Sequence, residues 1–230
     1  MQKKYLTFLI ILFVFTACNK KNIWKEPTDV GFKINIKKTD IIDKRFNFTD
    51  GTIIIAEFEF EGEREQADDV YFSKSFPGGL NIDFDPDTPI PELDFDIPQG
   101  TYTGISVAFD TFDDLGYNNI VVNGTYTNPE GEKLPLRFEF RSGEYFVITA
   151  EDYSGNSQII LDADIPASAT IVLNPVYWFQ KISSSLMNDA VLTEINGKET
   201  ILINDTVNEN IFDIVADRLD ESTETVFITN

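Results

Sequence analysis

The chain has 230 residues, with 39 acidic side chains against 18 basic, no histidine and one cysteine. Its formal charge of −21 repels nucleic acid and anionic headgroups and favours cations or basic partners. The lack of histidine removes the commonest general base, the usual zinc and copper ligand and every serine–histidine triad. A single cysteine excludes an internal disulfide, while 42% hydrophobic residues, 20 of the side chains being phenylalanine, suffice for a packed core rather than a disordered chain.

Taken in order, the chain opens on two lysines, Lys3 and Lys4, followed by the apolar run "YLTFLIILFVF" from Tyr5 to Phe15. That run is short for a bilayer span of about 20 residues and has the length of a secretory signal. It ends in "FTAC", small residues before Cys18, and this order resembles a bacterial lipobox. The resemblance implies a signal peptide over 1–17, diacylglycerol on the Cys18 thiol, and a membrane-tethered extracytoplasmic body held at the outer membrane. Two or more acyl chains, at about 0.8 kcal/mol per buried methylene, make a stable anchor. Residues 18–29 are polar and read as the lipidated tether, with Trp24 leaning to the lipid interface.

From Val30 the hydrophobic period is two. "VGFKINIKK" sets Val30, Phe32, Ile34 and Ile36 on one face, and "TIIIAEFEFEGE" sets Ile54, Ala56, Phe58 and Phe60 on one face against Glu57, Glu59 and Glu61, the pattern of half-buried strands. "VYFSKSF" and "LNIDF" read as two strands split by a turn at "PGG", Pro77 to Gly79. "NIVVNGTYT" and "KLPLRFEF" form a hairpin across "NPEGE". Strands at "EYFVITAE", "SQIILDADI" and "ATIVLNPV" follow. About ten short strands with turn signals every 8–12 residues predict a mainly β protein, an antiparallel β-sandwich over 30–175. Residues 176–230 read as a small helix and hairpin appendage packed on it. "VYWFQKI" has helical spacing, Asn196-Gly197 marks a hairpin turn, and "NENIFDIVADRLDEST" is an amphipathic helix with Asn208 as its N-cap.

The acid-rich stretch "NIDFDPDTPIPELDFDIPQGTY" raises the question of a metal. Asp83, Asp85 and Asp87 have the alternate spacing of calcium ligands, but Thr88 stands where a calcium loop needs glycine and prolines flank it. The competing reading puts the aspartates on the wet face of strands whose dry face carries Ile82, Phe84, Leu93, Phe95 and Ile97. Asp110, Asp113 and Asp114 form a second acidic group. Tyr117, Tyr126, Tyr153, Tyr177 and Trp178 are the candidate ligand platforms, Tyr177 and Trp178 foremost. Gly100-Thr101-Tyr102 and Gly143-Glu144-Tyr145 each put a tyrosine just after a turn, where its hydroxyl would bond back to nearby backbone.

"LDFDIPQGTYTGISVAF" (93–109), with its Pro-x-Gly-x-Tyr turn, resembles small extracytoplasmic lipoproteins of Bacteroidota with transthyretin-like β-sandwich domains. Three functions stay open. The expectation carried forward is a non-catalytic binding or adhesion module for a glycan or protein partner. The others are a structural or accessory subunit of an envelope assembly, and a hydrolase working with carboxylates alone. No resident cofactor is expected apart from a calcium ion.

Overall fold

The computed structural model describes residues 23–40, 43–114, 116–221 and 223–229; the signal-like run and Cys18 lie outside the described residues. The strands are, in chain order, β1 (Pro27–Ile36), β2 (Phe46–Arg64), β3 (Val70–Asp83), β4 (Asp94–Pro98), β5 (Gly100–Thr111), β6 (Ile120–Thr127) and β7 (Lys133–Phe140). There follow β8 (Tyr145–Asp152), β9 (Ile159–Leu161) and β10 (Ala167–Leu173), the helices α1 (Pro175–Phe179) and α2 (Ser184–Asn188), the hairpin β11 (Leu192–Ile195) and β12 (Lys198–Ile203), helix α3 (Glu209–Ala216) and finally β13 (Thr223–Thr229).

The sheet is one continuous surface that doubles back on itself. β2, 19 residues long, is its hinge. Its first half pairs with β6 and its second half with β5, while β3 runs along its other edge. β5 hands on to β8, and β8 turns away after Thr149 to pair in parallel with β13. From there the order runs β13, β10, β1, β4, which brings β1 over β2. The ring of Phe32 on β1 then meets Phe58 on β2 edge-on at 5.0 Å, and Phe95 on β4 stacks on Phe58 at 5.1 Å. Edge-on and offset ring pairs suit the aromatic quadrupole and add about 1 kcal/mol to the burial itself. Burial of Phe32 and Phe58, both fully enclosed, contributes roughly 2 kcal/mol more for each.

A second packing layer covers β2, β6 and β7. Asn174 Oδ1 accepts from Tyr177 N at 3.0 Å and Pro175 holds the first turn, so α1 starts there. The helix lays Phe179 against Phe46 at 5.2 Å and Phe48 at 5.3 Å. Arg45 is gripped by Asp43 at 2.7 Å and donates from Nη1 to Ile182 O at 2.8 Å, fastening the segment after α1 to the start of β2. Ser183 Oγ caps α2 through Leu186 N at 3.1 Å.

The mainly β prediction holds, but the architecture differs from an antiparallel sandwich of about ten strands. The described residues form thirteen strands, and β1–β10, β7–β12 and β8–β13 are parallel. Nor are residues 176–230 an appendage. β12 extends the sheet beyond β7, and β13 is inserted between β8 and β10. The strand pattern also starts earlier than Val30, with Thr28 already buried and paired to Ile97. Trp24 sits half-buried in a turn at Ile23–Lys25, its carbonyl accepting from Arg64 Nη1 at 2.7 Å.

Two local differences share a cause. β2 carries a bulge between Ile55 and Glu57, and one extra residue reverses which side faces in. Ile53 and Ile55 are therefore buried, in place of Ile54 and Ala56, while Phe58 and Phe60 keep the expected face. Opposite that bulge, Phe76 to Gly79 loop out of β3, so "PGG" interrupts one strand instead of joining two. Gly79 has φ 72°, and a Cβ there would lie 2.6 Å from Ile54 Cγ2, which only glycine avoids.

Candidate functional site

The aspartates of the acid-rich stretch serve separate ends. Asp83 is exposed at the end of β3, beside a shallow groove of about 300 Å³ that also has Asp50, Asn123 and Arg137 on its wall. Asp85 takes φ 57° and turns back onto β1, where Oδ1 accepts from Ile36 N at 3.1 Å and Oδ2 meets Lys38 Nζ at 2.9 Å. Asp87 is exposed in the following loop. Among the described residues no three acidic side chains gather closely enough to hold a metal ion. Asp85 is thus a latch for its loop, and the calcium reading of Asp83, Asp85 and Asp87 finds no convergent oxygen set.

Further along, Asp94 and Asp96 on β4 face Gly31 and Asp29 on β1. Burial, then the hydrogen bond and charge of Asp29, raise the Asp94 carboxyl above its ordinary value. The pair lies on an open strand face, exposed on both sides.

The aromatic platforms fall differently from expectation. Trp178 is completely buried in α1, so its indole belongs to the core, and Nε1 has no hydrogen-bond partner among the described residues. Tyr177 is half-buried, and the Arg218 guanidinium covers its ring at 4.2 Å from the centroid. The expected Tyr177–Trp178 ligand platform is therefore not open, one ring being buried and the other lying under Arg218. Tyr126 is buried as well, donating to Asn188 Oδ1 at 3.0 Å. Tyr102 behaves as expected of a corner: its hydroxyl donates to Pro98 O at 2.6 Å, and burial pushes its pKa up to about 12. Tyr145 does not, because its side chain points outward.

It is this outward Tyr145 that defines a site. Across β3, β2, β5 and β8 the register aligns three rows on the solvent face. They are Ser75–Glu57–Asp110–Tyr145, Ser73–Glu59–Ala108–Val147 and Tyr71–Glu61–Ser106–Thr149. Tyr71 is 66% exposed, Val147 57% and Tyr145 46%. The two phenols come from strands separated by β2 and β5, yet both donate to one carboxylate. Tyr71 reaches Glu59 Oε2 at 3.3 Å and Tyr145 reaches Glu59 Oε1 at 3.5 Å. The charge of Glu59 raises the Tyr71 pKa; burial first, and then Glu59, raise that of Tyr145. Asp110 is raised by burial and by the charge of Glu57. None of the twelve residues in these rows is basic. The result is an open, flat, negative surface with two rigid rings and one apolar side chain standing on it.

Tyr71 and Tyr145 were absent from the platform candidates. Each alternates with an inward ring, partly buried Phe72 in one case and buried Phe146 in the other, so period-two reading does put them on the wet face. Their meeting at Glu59 needs the register of four strands, which no local pattern carries. No protein family, curated relative or solved structure matches this chain.

Proposed function

We propose that the protein is a non-catalytic binding module, tethered outside the cytoplasm at the outer membrane by lipid on Cys18, whose β3–β2–β5–β8 face receives a cationic segment of a protein partner. The observation that carries the reading is the convergence of the Tyr71 and Tyr145 hydroxyls on Glu59. It presents two aromatic rings beside a carboxylate that has no cationic neighbour on that face. A lysine or arginine side chain can lay its stem along a ring and bring its charge to Glu57, Glu59 or Asp110. A cation over an aromatic face contributes about 0.5–1 kcal/mol when exposed and more when water is excluded. Tyrosine is also among the side chains that anchor interfaces.

The alternatives have less support. A structural subunit would use an apolar patch around α1 and α3, but Val176, Trp178, Phe179, Ile211, Val215 and Leu219 are all buried within the molecule. The carboxylates with raised pKa values, Asp94, Asp110 and Glu144, sit on different strands or turns and not as a pair across one cleft.

The test is fluorescence anisotropy of a labelled oligolysine peptide titrated with the full chain in detergent, against an oligoglutamate control. Binding is expected to oligolysine alone, to weaken with salt, and to weaken at least tenfold in Tyr71→Ala/Tyr145→Ala. Oligolysine affinity unchanged by the double substitution would move the site elsewhere. The anchor is tested separately, since Cys18→Ser should release the protein from the membrane fraction.

A further inference from the structure

For three residues, β5 has no neighbour on one edge. Along that edge it pairs with β9 from Gly100 to Tyr102 and with β8 from Ser106 to Asp110. Thr103, Gly104 and Ile105 lie between the two ladders, opposite no strand. The departure of β8 is the reason. Continuing its register would set Ala150 opposite Ile105, but from Ala150 onward β8 pairs with β13. Where the sheet forks, a cleft of about 380 Å³ opens between β5, the end of β8 and the loop leading to β9. That size falls within the range of small-molecule sites.

The cleft has a built wall. Asp152 Oδ1 accepts three hydrogen bonds, from Ser154 N at 2.9 Å, Asn156 N at 3.2 Å and Asn156 Nδ2 at 2.9 Å. These hold the loop over the fork in one shape. The other carboxylate oxygen, Oδ2, takes no hydrogen bond from the described residues, and neither does the amide oxygen of Asn156. With Ser157, also on the lining, and the unladdered edge of β5, the cleft offers donors and acceptors at short intervals.

That mixture selects its ligand. Asp152 and Glu151 line the cleft and no lysine or arginine does, so phosphates and carboxylates are repelled. An apolar ligand would leave these polar groups dehydrated and unpaired. A hydroxyl both donates and accepts, so a molecule bearing several adjacent hydroxyls matches the lining group for group. The apolar surface that the lining does offer, from Tyr102, Ile105 and Ile159, suits the faces of a sugar ring. We infer that the fork between β8 and β9 is a binding site for a neutral saccharide of about one or two rings. It is separate from the acidic tyrosine face, so either site can fail without the other.

The experiment is a titration of the ¹⁵N-labelled full chain in detergent micelles with glucose, galactose, mannose, maltose, cellobiose and lactose, each to tens of millimolar, read by amide shifts. Saturable shifts confined to Gly104, Ile105, Gly155 and Asn156 are expected with at least one sugar. Asp152→Asn should weaken that sugar's affinity at least tenfold. Ser157→Ala, which leaves the Asp152 turn intact, should weaken it about threefold. Butylamine serves as the cationic probe. Shifts of the same amides by butylamine but by no sugar would overturn the ligand class, and no saturable shift with any of the six sugars would overturn the site.

Discussion

Replacing Asn208 by alanine removes a three-way bridge between Val191, just before β11, strand β12 and helix α3. Asn208 Oδ1 accepts from Val191 N at 2.8 Å, while Nδ2 donates to Val191 O at 3.0 Å and to Leu202 O at 2.7 Å. The two bonds to Val191 are exposed and the one to Leu202 is half-buried, so about 0.5 kcal/mol for each of the former and about 1 kcal/mol for the latter is apt. Alanine must also hold φ 55°, which costs roughly 1 kcal/mol more than it does for asparagine. The total is about 3 kcal/mol, a fall in Tm of roughly 6–12 °C for a protein of this size. Glycine loses the same three bonds but accepts the backbone angle, so its cost is about 2.5 kcal/mol once its freer unfolded chain is included. Urea unfolding should show both midpoints lowered with m unchanged, alanine further than glycine. Two variants within about 0.5 kcal/mol of the parent, or a glycine variant less stable than the alanine one, would refute the bridge and the strain argument respectively.

Two further outcomes follow from the titrating groups. Tyr102→Phe should cost about 1 kcal/mol at neutral pH through the lost bond to Pro98 O. Because the folded-state pKa is raised to about 12, stability is fully present below the unfolded value near 10 and is lost as pH rises towards 12. Urea midpoints in Tyr102→Phe should escape that alkaline loss, and an equal loss in both proteins would assign it to another group. Asp94→Asn should stabilise at pH 7 by a few tenths of a kcal/mol, since it relieves first the burial of the charge and then a solvent-screened repulsion with Asp29 and Asp96. The Asp94 pKa is raised on folding, so the wild-type penalty disappears as pH falls below the ordinary carboxylate range. The variant's advantage should vanish there, and an advantage persisting at pH 3 would show that packing, not charge, is its source.

How much was legible depended on the distance over which each feature is encoded. β1 was read correctly because Val30, Phe32, Ile34 and Ile36 alternate without interruption. The β11–β12 turn was legible in Asn196-Gly197, whose φ values of 52° and 77° are those a two-residue hairpin turn requires. Ile54 and Ala56 were misplaced because a bulge is decided by the partner strand as well as by the residues themselves. Asn208 was recognised as special, but its left-handed backbone aims the side chain at Val191 and β12 and away from the amides of α3. The insertion of β13 between β8 and β10 leaves no local trace, since any alternating strand pairs as well elsewhere. For the same reason Glu59, Tyr71 and Tyr145 could be read as wet residues but not as neighbours.

The position of β13 also governs the order in which the molecule can be made. β8 and β10 both precede residues 223–229 in the chain and do not pair with each other, so each has an unpaired edge until β13 docks. Before that docking the chain presents two rows of unsatisfied backbone groups, which invite pairing with a foreign strand. Closure of this half of the sheet must therefore be late and abrupt, because one segment satisfies both edges at once. Contacts between residues far apart in the chain form slowly in any case. A chain halted before Thr223 would keep its hairpins and lose the seam that makes them one body.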